Sequence, residues 1–205
     1  PIEVPSARTQ AARRFVPAAE HLQGAALHPQ GHGALVEARG KLFSFALWEG
    51  AVREHVAADG ARHRLGRWLA DGRRLVAVAD TGGEEKLVLF DDAGAHVLGF
   101  DIGRATELAV APKGAVVALA NHRNELLLAD LDARTLTVAD RSDAGRVRDL
   151  AWSLDGAWLA YAFDTSARHT AIKLLDAAGT GDARLVTQPE FRDWSPAFDP
   201  EGRYL

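Results

Sequence analysis

A short pattern recurs five times along this chain: a bulky apolar residue, two or three variable positions often including Pro or Asp, a Gly, and then an apolar run. The copies are Leu27-His28-Pro29-Gln30-Gly31, Trp68-Leu69-Ala70-Asp71-Gly72, Val110-Ala111-Pro112-Lys113-Gly114, Trp152-Ser153-Leu154-Asp155-Gly156 and Phe198-Asp199-Pro200-Glu201-Gly202. Gly31, Gly72, Gly114, Gly156 and Gly202 are spaced 41, 42, 42 and 46 residues apart. A fixed period of that size marks a repeat architecture, either a helical array or a ring of four-stranded blades.

The content of each repeat is β. Pro presets φ and Gly accepts a positive φ, so each copy is turn chemistry. The runs that follow are short and apolar: Ala34-Leu35-Val36, Leu75-Val76-Ala77-Val78, Ala115-Val116-Val117-Ala118-Leu119, Trp158-Leu159-Ala160-Tyr161 and Tyr204-Leu205. A polar break and a second apolar run come next, as in Leu42-Phe43-Ser44-Phe45, Leu87-Val88-Leu89-Phe90, Leu126-Leu127-Leu128 and Ile172-Lys173-Leu174-Leu175. Three of these end at Asp91, Asp130 and Asp176, and a weaker fourth strand closes the unit, as in Thr135-Leu136-Thr137-Val138. Helical periodicity is not sustained; the only short exception is residues 18–22. Each unit reads as four antiparallel strands with two apolar faces, which are buried only by stacking units around an axis. The expected fold is therefore all-β: a β-propeller with four complete blades and the start of a fifth, taken from a larger ring. Residues 23–205 form the partial propeller, and residues 1–22 are a linker or a strand of the closing blade. The bulky residue of each copy should wedge between neighbouring blades from the innermost strand.

Composition removes several function classes. The net charge of −4 argues against a protein built to neutralise nucleic-acid phosphate, and Arg13-Arg14 and Arg73-Arg74 read as solvated surface. The chain has no cysteine, so disulfides and thiolate metal sites are impossible, which fits a cytoplasmic location. No apolar run approaches the ~20 residues of a membrane-spanning helix. The first residues carry no starting Met or signal pattern, and the last fall inside an expected strand, so both ends read as cut from a longer protein. An open fifth blade should also leave unpaired strand edges that favour self-association.

A search for chemistry returns no catalytic, cofactor or metal residue. There is no Gly-x-Ser-x-Gly elbow, and Ser195 sits before Pro196 in an extended setting. His28 and His32 flank a turn with no third ligand evident, and Gly31-His32-Gly33 and Gly179-Thr180-Gly181 are turns that open no helix. A polar set does occur at the start of the innermost strands: Arg64, Glu107, Arg148, Asp149, Arg192 and Asp193. These are candidate channel-lining residues, where charge would select what enters. Ordinary solvation of a wet channel mouth is the competing reading.

The Trp152 to Gly156 turn resembles the propeller repeats of TolB and of prolyl-oligopeptidase relatives. Two stretches are more specific. Arg192-Asp193-Trp194-Ser195-Pro196-Ala197-Phe198-Asp199-Pro200-Glu201-Gly202-Arg203-Tyr204-Leu205, and Gly24-Ala25-Ala26-Leu27-His28-Pro29 with Leu47-Trp48-Glu49-Gly50 downstream, are similar to segments of the tricorn proteases. The resemblance covers essentially the whole chain and maps onto the second, seven-bladed propeller of that family. It implies a large cytoplasmic serine peptidase that degrades short peptides as a hexamer, with this propeller offering a filtered route to catalytic domains C-terminal to it. No catalytic residue carries over to this chain. A TolB-like interaction platform with no attached enzyme is the alternative.

Overall fold

Alternation with a period of two places successive side chains on opposite faces of a strand. In this chain both sets are apolar in the middle of every repeat, so the strands carrying them have no solvent face. The computed structural model describes residues 17–177 and 182–205 and contains four four-stranded antiparallel sheets. Blade 1 comprises β1 (Leu22–Leu27), β2 (Gly33–Ala38), β3 (Lys41–Ala46) and β4 (Arg53–His55). Blade 2 holds β5 (Arg62–Trp68), β6 (Leu75–Thr81), β7 (Glu84–Asp91) and β8 (Gly94–Val97). Blade 3 holds β9 (Ala105–Val110), β10 (Val116–Asn121), β11 (Glu125–Asp130) and β12 (Thr135–Arg141). Blade 4 holds β13 (Val147–Trp152), β14 (Trp158–Asp164), β15 (Thr170–Asp176) and β16 (Arg184–Leu185). In each sheet the strands pair in chain order, and the first strands β1, β5, β9 and β13 neighbour one another along the inner side. This is the expected propeller arrangement. The short helical exception is a 3-10 turn, Ala18–His21. Gly179-Thr180-Gly181, Arg13-Arg14 and the first sixteen residues lie outside the described residues.

Each repeat turn is the same device. The residue three before the Gly donates its N–H across the turn, as in His28 to Gly33 (2.9 Å), Leu69 to Arg74 (2.8 Å) and Ser153 to Trp158 (2.9 Å). At Gly31, Gly72 and Gly156 the glycine N–H returns to the carbonyl of that same residue, and the five repeat glycines all hold φ between 66° and 77°. A Cβ is strained there, which is why the position is glycine every time. The fifth copy completes the same turn, with Asp199 N–H on the Tyr204 carbonyl (3.0 Å) and Gly202 N–H on the Asp199 carbonyl (2.9 Å). No strand follows it at Tyr204-Leu205. The acidic ends of the third strands are turn formers too: the Asp91 and Asp130 carboxylates accept N–H groups from the residues two and three positions further on.

The core lies between blades rather than within them. From β6, Leu75, Ala77 and Ala79 pack toward blade 1, while Val76 and Val78 pack toward blade 3. From β10, Val117 and Leu119 face blade 2, and Ala118 and Ala120 meet Leu159 and Tyr161 of blade 4. Shifting any second strand by one residue would exchange both faces at once, which fixes the register. The bulky residue of each copy faces the preceding blade. Trp68 stacks edge-on against His28 at 4.7 Å, Trp152 donates its indole N–H to the Ala109 carbonyl (3.2 Å), and Phe198 packs on the Ala160, Ala162 and Ile172 cluster. Leu27 differs: no blade precedes it among the described residues, and it is 71% exposed.

Candidate functional site

The inner strands all run the same way. Their first residues therefore share one face of the propeller with the hairpin turns joining the second and third strands of each blade. This is the upper face; the repeat turns lie on the lower one. Each inner strand is bulged, with register breaks at Leu22/Gly24, Arg64/Arg67 and Arg148/Ala151, and opposite Ala120/Asn121 for β9. Bulges re-aim backbone groups locally. In β5, β9 and β13 they turn N–H groups toward the preceding blade, where a carboxylate receives them.

Every junction has such a carboxylate, delivered from a different place. Between blades 1 and 2, Glu37 of β2 accepts the Gly66 N–H at 2.6 Å. Between blades 2 and 3, Glu85 of β7 accepts the Ala105 N–H at 2.9 Å and is held by Arg64 at 2.5 Å, while Arg64 also donates to the Ala105 carbonyl. Between blades 3 and 4, the two oxygens of Glu107 accept the Asp149 and Leu150 N–H groups, each at 2.7 Å. Asp149 then accepts the Ser195 N–H of the fifth copy at 3.0 Å. The common location lies seven residues before the repeat glycine, where Gly24, Leu65, Glu107, Asp149 and Ser195 stand. Where that residue is itself acidic, it makes the clamp. At Gly24 the missing side chain leaves room for Glu37, whose carboxyl carbon would lie 3.1 Å from a Cβ there. Leu65, Asp149 and Ser195 hold φ of 55°, 56° and 55°. Each costs about 1 kcal/mol or more as a non-glycine, and persists because the surrounding bonds impose it.

The six candidate residues thus have definite places. Arg64, Glu107 and Asp149 belong to these clamps. Arg148 pairs with Asp164 (2.9 Å) and donates to the Thr170 hydroxyl (3.1 Å). Arg192 donates its Nε–H to the Arg168 carbonyl (2.7 Å), and the Asp193 N–H bonds the Thr170 carbonyl (2.8 Å). Two cavities on the upper face are lined in part by these residues. The larger, about 520 Å³, runs across blade 2 and is lined by Arg62, Arg64, Asp80, Lys86, Asp101 and Arg123 among others. The bidentate Arg123 guanidinium, at 2.9 Å, holds the Asp101 carboxyl below the usual carboxylate range. The smaller, about 170 Å³, brings Arg148 and Arg192 together with Asp164, Arg168, Thr170 and Trp194.

His28 is structural: Nδ1 accepts the Gln30 N–H (3.1 Å), and Nε2 meets the Gly72 carbonyl (2.6 Å) to tie two repeat turns together. Among the described residues no three His, Asp or Glu side chains gather as a metal site. Nor is any helix among them long and apolar enough to cross a membrane. Sequence reasoning missed Glu37, Glu85 and Arg168. The available signal was a charged residue inside an otherwise apolar strand, as in Ala34-Leu35-Val36-Glu37-Ala38.

Comparison with known proteins places this geometry. The model of the tricorn protease second beta propeller domain matches residues 22–205. A tricorn protease homolog of Saccharolobus solfataricus is 30% identical over 205 residues, covering 100% of this chain and 18% of its own length. Tricorn protease homolog 1 of Streptomyces coelicolor is 32% identical over 184 residues, covering 84% of this chain and 17% of its own length. The chain thus spans less than a quarter of the curated relatives it matches. Among solved structures, the tricorn protease crystal structure superposes with a TM-score of 0.80 at 21% identity, covering 98% of this chain and 20% of that one. TolB from Acinetobacter baumannii gives 0.63 at 16% identity, covering 86% and 46%, a likeness of fold alone. The chain belongs to the tricorn protease family, as part of its second β-propeller domain.

Proposed function

We propose that this chain is a non-catalytic propeller segment of a cytoplasmic serine-type peptidase that degrades short peptides. It contributes part of the route by which peptides reach catalytic residues elsewhere in the parent protein, and part of the scaffold of a homo-oligomer. The family match over residues 22–205 carries the reading. The upper face supports it: Arg64, Glu107, Arg148, Asp149, Arg192 and Asp193 all stand at or beside the inner-strand starts, and with them would line the mouth of a seven-bladed channel.

The test uses the full-length parent protein, treated with a serine-reactive fluorophosphonate probe and digested to locate the label. The expected result is a label on a serine C-terminal to Leu205, with short-peptide hydrolysis lost on labelling. No label and no hydrolysis would overturn the peptidase reading and leave an interaction platform of the TolB kind.

A further inference from the structure

We infer that the junction between blades 1 and 2 is an acid-sensitive hinge: in mild acid, protonation of His55 and His63 parts blade 1 from blade 2 while blades 2, 3 and 4 stay joined. In a closed ring, one parted junction is a slit in the channel wall. That consequence rests on the proposed function; the hinge rests on the junction itself.

Location is the first argument. Among the described residues three histidines are buried, His28 (6% exposed), His55 (7%) and His63 (3%), and all three lie at this junction. His55 is in β4 and His63 in β5, and both rings pack on Phe90 of β7, with centroids 5.5 and 6.0 Å away. His28, with the His32 ring 4.0 Å from it, ties the lower end of the same junction to the Gly72 carbonyl. The two junctions flanking blade 3 hold no buried histidine among those residues. Their cores are aliphatic, with Val76, Ile102 and Leu119 in one and Leu126, Leu159 and Leu175 in the other, and such side chains do not titrate. Every junction has a carboxylate clamp, so the clamps do not distinguish them.

The second argument is that the closed junction holds the rings neutral. His63 Nε2 accepts the Ala57 N–H (3.1 Å), so a proton on that nitrogen would set two donors against each other. His55 Nε2 meets the Ser44 hydroxyl of β3 (2.8 Å). The surrounding charges offer little relief. On β4, Arg53 repels a charged His55; Glu54 favours a charged His63, as does the Gly40 carbonyl, but Glu54 is already paired with Lys41 of β3 (2.6 Å). Glu37 of β2 is taken by the Gly66 N–H, with Arg67 of β5 at 3.8 Å. Above His63 lie Arg62 and Arg64 of β5, Glu85 of β7 held by Arg64, and Lys86 held by Glu84; Asp80 of β6 is exposed there, where water and salt screen it. Burial, the largest cause at both rings, therefore prevails: it takes His55 from 6.5 to about 4 and lowers His63 too. Rings that stay neutral while closed but accept a proton once water reaches them bias the junction open as pH falls below 6.5; for His55 alone the bias at about pH 5 is roughly thirtyfold.

The test is amide hydrogen exchange of the full-length parent protein near neutrality and at about pH 5, read as protection factors so that the intrinsic pH dependence of exchange cancels. The reporters are amides that cross each junction. His63 and Gly66, bonded to the Gly40 carbonyl and Glu37, report on blades 1 and 2. Ala105, bonded to Glu85, reports on blades 2 and 3, and Asp149 and Leu150, bonded to Glu107, on blades 3 and 4. In acid, protection at His63 and Gly66 should fall roughly thirtyfold, and at the other three less than about threefold. The double variant His55→Gln, His63→Gln should keep its protection, because glutamine still accepts a hydrogen bond but takes up no proton. His55→Gln alone should recover the larger part of the loss, and His96→Gln on the outer strand β8 should recover none. Equal loss at all three junctions, no loss at the first, or an undiminished acid response in both His55 variants each overturns the proposal; the first two are read on the unmodified protein and need no variant to fold. A parent protein without peptidase activity whose first junction still opens in acid would sink the proposed function and leave the hinge standing; an active parent with uniform protection would do the reverse.

Discussion

Replacing Glu107 by Gln is the sharpest probe of how the blades are joined. The carboxylate accepts two backbone N–H groups of the next blade, Asp149 and Leu150, both at 2.7 Å. A hydrogen bond to a charged group contributes about 1.5–3 kcal/mol, and the half-buried position calls for the lower end. Glutamine keeps one acceptor oxygen but turns an NH₂ group toward the other N–H, so one bond is lost and one donor is stranded. The expected cost is about 1.5 kcal/mol, and for Glu107→Ala about 2.5 kcal/mol, less than double because the two bonds share one side chain. Urea denaturation of the chain measures the global loss, and amide hydrogen exchange at residues 149 and 150 reads the local one, with exchange about tenfold faster for Gln. Glu54→Gln serves as control: it breaks the exposed Lys41–Glu54 pair (2.6 Å) and should cost under about 0.5 kcal/mol. An unchanged urea midpoint together with unchanged protection at Asp149 and Leu150 would refute the clamp.

Three further outcomes follow from single contacts. Burial first, with Arg53 and His63 adding, holds His55 down from 6.5 to about 4, and burial lowers His63 as well. The fold disfavours the protonated rings, so stability is complete above 6.5 and falls as pH drops toward about 4; urea midpoints across that window should flatten in His55→Gln, and an identical slope in the variant counts against His55. Tyr161 donates to Asp140 at 2.5 Å, with Lys173 on the same oxygen at 2.7 Å, and burial followed by this bond pushes the phenol's ionisation up. Tyr161→Phe should lower stability by about 1–2 kcal/mol in thermal melts, and no measurable change would show the bond to be incidental. The Trp68 indole N–H is buried without a partner among the described residues, whereas that of Trp152 bonds Ala109. Trp68→Phe should therefore cost about 1 kcal/mol less than Trp152→Phe, and the reverse order in paired denaturation curves would contradict the assignment.

The blade architecture was legible because its two determinants are local. A glycine at φ near 70° must recur wherever the turn recurs, and apolar runs on both faces of a strand leave no solvent side. The turn at Phe198 to Gly202 was legible for the same reason. The junctions were half legible. Glu107 and Asp149 stood out with Arg64, Arg148, Arg192 and Asp193 as a polar set at the inner-strand starts, but sequence suggested channel-facing charge and gave no sign that the oxygens of Glu107 and Asp149 accept backbone N–H groups. Glu37 and Glu85 do the same work from different strands, and only the room left at Gly24 and the bulge beside Arg64 bring them there. Arg168 and Arg192 lie 24 residues apart and meet through a backbone carbonyl, a contact that spacing along the chain cannot reveal.

The clamps also have a direction in time. Glu37 precedes Gly66, Glu85 precedes Ala105, Glu107 precedes Asp149 and Leu150, and Asp149 precedes Ser195. In each of these bonds the carboxylate lies upstream of the N–H it accepts. On a chain emerging from the ribosome N-terminus first, each blade presents its carboxylate before the strand that needs it has been made, so every new inner strand arrives at a surface prepared to receive it. Each carboxylate is thus in place before its N–H partner is made, while the side chains of Arg64 and His28 wait for the later carbonyls of Ala105 and Gly72.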